Sequence, residues 1–72
     1  MAMSSQSTIT LNGSEHSIDA AVSISRLLET IGLAGKPVVV ELNEQAVFPH
    51  DYSHIMVEPG ARVEIVALAA GG

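Results

Sequence analysis

The sequence predicts an α+β domain, a mixed sheet of four to five strands with one main helix packed on one face. Three observations carry this. Two short β-patterned segments flank an Asn-Gly pair near the start, one stretch with apolar residues at helical spacing follows, and β-branched runs return after it. At 72 residues the chain makes one domain.

Thr8-Ile9-Thr10-Leu11 alternates polar and apolar residues, as a strand with one buried face does. Asn12-Gly13 is a strong hairpin signal, because a type I′ turn needs positive φ at both central positions. Ser14 to Asp19 is then the returning strand, with Ile18 on the buried face. Ser23 is placed to cap a helix, since its hydroxyl can accept from a first-turn N–H that lacks an intrahelical partner. Ile24, Leu27, Leu28 and Ile31 follow at i, i+3, i+4 and i+7 and share one face. Gly32 suits a left-handed helix end, and Leu33 can fold back over it, giving a helix of about ten residues.

Val38 to Leu42 reads as a largely buried strand after Pro37. Asn43-Glu44-Gln45 turns the chain into a short strand, Ala46-Val47-Phe48, which Pro49 stops. His50 to Met56 reads as a helical turn plus connection, Pro59-Gly60 as a turn, and Arg62 to Val66 as the last strand. A hairpin, a crossing helix and further strands, the last able to pair parallel with the first, make the β-grasp (ubiquitin-like) layout. The expected divisions are a disordered segment over 1–7, the domain over 8–68 and a flexible tail over 69–72.

Composition narrows the function. A domain this small buries only about 60% of the surface its unfolded chain exposes, which leaves little room for an enclosed catalytic cleft. Cysteine is absent, so disulfide and thiolate chemistry are excluded. Three basic residues against eight acidic ones disfavour nucleic acid, which needs clustered Lys and Arg. The net charge of −5 favours a positively charged partner surface by steering, and equally it serves solubility. No run approaches the ~20 apolar residues that cross a bilayer, so no membrane is expected. Residues 1–7 lack the basic-then-apolar pattern of a secretory signal, so the expected compartment is cytoplasmic.

The sequence finishes Ala69-Ala70-Gly71-Gly72. Two readings stand side by side: a frayed end of small residues, or an acyl donor. A carboxylate with a pKa near 3.3–3.7 is an anion at neutral pH and resists nucleophiles until an enzyme attaches a leaving group such as AMP. To reach that nucleotide the tail has to thread a narrow channel. Glycine has no side chain to clash and accepts any backbone angle, so Gly71 and Gly72 behind Ala70 form a thin probe.

Val40-Glu41-Leu42-Asn43, then Val47 with Pro49 and Tyr52, Gly60-Ala61-Arg62-Val63-Glu64-Ile65-Val66 and the final Ala70-Gly71-Gly72 together resemble the ThiS family, sulfur carriers of thiamine biosynthesis. The helix segment with Leu27-Leu28-Glu29 and Gly32-Leu33 is similar too, and the resemblance runs over about residues 8 to 72. It implies a protein co-substrate and not an enzyme. A ThiF-like adenylyltransferase would convert the Gly72 carboxylate to an acyl-adenylate, using ATP that this chain does not itself bind. Sulfur originating from a cysteine desulfurase would displace AMP, and the Gly72 thiocarboxylate would serve a ThiG-like thiazole synthase. Gly71 and Ala70 are implied as the slim approach to it.

Two departures fall on turns: Gly60-Ala61-Arg62 stands where Gly-Asp-Arg is frequent, and Phe48 and His50 alter a Pro-Arg pattern. The molybdopterin synthase small subunit shares fold and tail and is the alternative within the carrier class. An interaction module with an inert tail is the alternative outside it. Phe48, Arg62, Val39 and Leu42 are the candidate partner contacts. Val39, Leu42 and Val47 with Phe48 could leave an apolar patch on the sheet face away from the helix, but plain core is the favoured reading for any one of them, and Phe48 before Pro49 is the best candidate for exposure. His16, His50 and His54 are read as surface histidines and no metal site is expected. Asp51, Ser53 and His54 have triad letters, but triads are assembled in space and not by adjacency, so no catalytic residue is assigned.

Overall fold

The structure, a computed structural model, describes residues 7–68. Strands β1 (Ser7–Leu11) and β2 (Ser14–Ile18) form the hairpin. Asn12 and Gly13 sit at φ 49° and 83°, the two left-handed positions a type I′ turn requires. β1 starts at Ser7, which pairs with Ile18, one residue before the expected domain start. Helix α1 (Ile24–Thr30) follows a two-residue strand β3 (Val22–Ser23).

Ser23 caps α1 as expected, its Oγ accepting from the Arg26 N–H at 3.0 Å. The helix is shorter than the ten residues expected. Ile31 is already its C-cap, and Gly32 at φ 83° reverses the chain. The Gly32 N–H donates to Glu29 O and the Leu33 N–H to Leu28 O, the paired bonds of a Schellman ending. Leu33 then packs on the core and closes the turn.

β4 (Val38–Leu42), β5 (Gln45–Val47), a 3₁₀ turn over Pro49–Asp51, β6 (Met56–Val57) and β7 (Arg62–Ala67) complete the chain. The main sheet has the order β2-β1-β7-β4-β5. The last strand lies in its centre, parallel to β1 and antiparallel to β4. A separate ladder joins β3 to β6, pairing Val22 with Val57 and Ser23 with Met56. Propensity gave no sign of this ladder, because two-residue strands have no period to detect. It fixes the start of α1 against the sheet, helped by the Ile24 N–H donating to Ile55 O.

One face of the sheet meets α1. Ile9 and Ile18 from the hairpin, Val40 from β4, and Val63 and Ile65 from β7 are buried there against Ile24, Leu27 and Leu28. Val57 and Ala61 complete this core from the connection before β7. Ile24, Val57 and Val63 are wholly enclosed, and burying such a side chain contributes about 1.5–3 kcal/mol.

Two turn asparagines hold β7 from either side. The side chain of Asn12 accepts from the Ile65 N–H at 2.7 Å and donates to Ile65 O at 3.1 Å. Asn43, at φ 50°, accepts the Arg62 N–H on its Oδ1 at 2.9 Å and donates its own N–H to Arg62 O at 2.8 Å. Each forms the hydrogen bonds a neighbouring strand would have formed, just where β1 and β4 turn away.

Candidate functional site

The candidate tail residues Ala70, Gly71 and Gly72 lie outside the described residues. What the structure fixes is the route toward them. β7 runs through the middle of the sheet to Ala67, opposite Val38, and the Leu68 N–H donates to Pro37 O at 2.9 Å. The four residues after Leu68 carry nothing larger than a methyl group. Fully extended they span at most about 14 Å.

The face of the sheet away from α1 surrounds that exit. Val39 and Val66 are direct partners across β4 and β7, 46% and 59% exposed. Leu68 adds a side chain 50% exposed, and Phe48 one that is 59% exposed. Phe48 follows the inward Val47 in extended backbone, just past the end of β5, and so falls on the outer side. Its ring stacks on that of His50, centroids 6.4 Å apart.

Of the predicted contact residues, Val39, Phe48 and Arg62 are on this surface and Leu42 is not. Leu42 lies two residues from the buried Val40 and, with Val47, packs against the core on the helix side. Leu42 and Val47 thus take the core reading favoured for them, Leu42 drops out as a contact on the outer face, and the exposed apolar side chains are Val39, Val66, Leu68 and Phe48. The signal was present in the strand itself. A charged Glu41 in an otherwise apolar run sets the phase, so Val39 shares its outward face and Leu42 takes the opposite one. Glu64 does the same for Val66.

Charges lie along the same face. Arg62 pairs with Glu44 at 3.3 Å, both well exposed, so the contact is worth only about 0–1 kcal/mol. Glu41 and Glu64 face each other directly across β4 and β7. On the helix side, a hollow of about 400 Å³ opens between α1 and the segment before β4, lined by Leu28, Lys36, Pro37, Val38, Pro49 and Tyr52. Among the described residues no hydroxyl is hydrogen-bonded to a histidine or a carboxylate. Nor do three or more His, Asp or Glu side chains there converge on a point where a metal could sit. Besides the Phe48 ring, His50 meets the Asp51 carboxylate at 3.4 Å, and Ser53 and His54 are exposed. No helix among the described residues is long and apolar enough to cross a membrane.

A five-stranded mixed sheet with its last strand central, one helix on one face and an exposed apolar strip beside the chain exit defines a β-grasp domain of the ubiquitin-like kind. The ThiS family model matches residues 6–72, and the chain belongs to the ThiS family of sulfur-carrier proteins. The structure is similar to the crystal structure of the thiamine biosynthesis protein ThiS from Geobacter metallireducens. The TM-score is 0.78 at 26% identity, covering 90% of this chain and 99% of that one. Among curated proteins it is similar to the thiazole synthases of Paramagnetospirillum magneticum, 33% identical over 64 residues, and Magnetococcus marinus, 31% identical over 64. Each match covers 89% of this chain but 20% of the relative, so the chain spans about a fifth of the length of those proteins.

Proposed function

We propose that this chain carries sulfur for thiamine thiazole synthesis as a thiocarboxylate on Gly72. The observation that supports this most directly is the family match, which runs through the domain to the final Gly71-Gly72. In the first step a ThiF-like adenylyltransferase joins the Gly72 carboxylate to the α-phosphate of ATP, releasing pyrophosphate. Attack by the outer sulfur of a persulfide, charged by a cysteine desulfurase, then expels AMP and leaves an acyl disulfide. A thiol then attacks the donor's cysteine sulfur in that acyl disulfide, so the S–S bond breaks, the thiol and the donor cysteine end as a disulfide, and the electron pair leaves with the thiocarboxylate. The carrier supplies the acyl group and the partner supplies nucleotide and catalysis.

The scaffold suits this role in two ways. β7 is held by β1, β4 and both turn asparagines, so the tail starts from a rigid base. The apolar strip of Val39, Val66, Leu68 and Phe48 borders that start, where a docked enzyme would meet both at once. Thiazole synthase is the proposed acceptor. The similarity of this chain to part of two proteins of that name supports the pairing, as does the likeness to a thiamine biosynthesis protein. The reaction is proposed to run in the cytoplasm, where ATP and persulfide donors are supplied.

Mass spectrometry tests the reading. With ATP, a ThiF-like enzyme, a desulfurase and cysteine, the chain should gain the mass difference of sulfur over oxygen. Removal of Gly72 should abolish adenylation and leave the circular dichroism spectrum unchanged. An unshifted mass in the wild type, or normal activation of the truncated chain, overturns the proposal.

A further inference from the structure

The outer sheet face carries a charge arrangement that the fold does not account for. Glu41 and Glu64 are register partners on β4 and β7, both exposed. Residues directly opposite in an antiparallel pair have Cβ atoms about 4.5–5.5 Å apart, and like charges there destabilise the sheet. The nearest cation along the strand, Arg62, is turned to Glu44. Among the described residues neither Glu41 nor Glu64 has an ion-pair partner. The pair adjoins the exposed Val39–Val66 pair in the same two strands, so an acidic row and an apolar row lie side by side next to the chain exit.

We infer that Glu41 and Glu64 together receive an arginine of the adenylating enzyme, fixing how that enzyme sits on the apolar strip. This rests on the proposed function and names two residues that set partner orientation within it. Two carboxylates on adjacent strands offer several acceptor oxygens within a short span. A guanidinium has five donors in a rigid plane and can bond to both, whereas an ammonium is a point charge without a fixed plane. Such a contact turns the repulsion within the free sheet into attraction on docking. A second copy of this chain is a poor occupant. It carries net charge −5, and two of its three basic residues, Arg26 and Arg62, already hold carboxylates. Nucleic acid is disfavoured by the same acidity.

The test compares two double variants of equal net charge. Glu41→Gln with Glu64→Gln removes the pair, and Asp19→Asn with Glu58→Gln removes two exposed carboxylates outside the strands of that face. The first should raise the KM of the ThiF-like enzyme for the carrier roughly 10- to 100-fold, with kcat unchanged. It should also weaken the salt dependence of KM, and melt no lower than wild type because the repulsion is gone. The second should shift KM less than about 3-fold, the part due to steering by net charge. Equal KM for the two variants overturns the inference. Calorimetric titration of carrier with the enzyme in the absence of ATP separates the two readings. A wild type that docks but is never adenylated overturns the proposed function, and in that case the ratio of variant to wild-type Kd still decides the inference. A wild type that neither docks nor is adenylated overturns both.

Discussion

Replacing Asn12 by alanine removes two interactions and adds a strain. The side chain's bonds to the Ile65 N–H at 2.7 Å and Ile65 O at 3.1 Å are lost, each worth about 0.5–1.5 kcal/mol net. Because those groups are only partly buried, water replaces some of what is lost. The backbone at φ 49° then has to be held by a residue with a Cβ and no local hydrogen bond, which costs about 1–2 kcal/mol. Together the loss is about 3 kcal/mol. A domain of this length has a total stability of roughly 4–11 kcal/mol, so the loss is a large fraction of it. The melting temperature should fall by roughly 12–24 °C. Asn12→Gly loses the same two bonds but tolerates the positive φ, so it should cost about 1 kcal/mol less than alanine. Urea unfolding followed by circular dichroism measures both, with m unchanged, and hydrogen exchange should show the Ile65 amide losing protection. Should Asn12→Ala fall within about 0.5 kcal/mol of wild type, the clamp contributes nothing, and should Gly cost as much as Ala, the positive φ carries no strain; either result refutes the reasoning.

Leu27→Ala deletes a side chain buried between sheet and helix and should cost about 2–5 kcal/mol in the same unfolding assay. Ser23→Ala removes the cap of α1 and should cost about 1 kcal/mol, while Ser23→Asp should restore most of it. Val39→Ser with Val66→Ser should leave the melting temperature within a few degrees, since both side chains are about half exposed. The same pair should raise the KM of the activating enzyme by at least about 10-fold, read by pyrophosphate exchange.

Local signals in the chain carried much of this. Asn12-Gly13, Ser23 and Gly32 each demand a particular backbone state, and each adopts it in the structure. The apolar spacing from Ile24 to Leu28 selected the buried helix face. The ThiS resemblance rested on motif order along the chain, and the family match over 6–72 bears it out. The ending of α1 was legible in type but not in position, because Gly32 marks the reversal and the last helical residue lies two positions before it. Leu42 was named among the partner contacts although Glu41 beside it gave the phase that turns it to the core.

What the sequence by itself determined was the identity of the longer elements and the places where the chain turns. These depend on φ preferences, capping groups and periodicity, and all of them act within a few residues. Tertiary structure alone decided which residues meet from a distance: Asn12 on Ile65, Asn43 on Arg62, and Glu41 opposite Glu64. Those meetings follow from the last strand inserting between the first and the fourth. The driving force for that insertion is the burial of Val63 and Ile65 against one helix face, a cooperative and non-directional effect that no local pattern encodes.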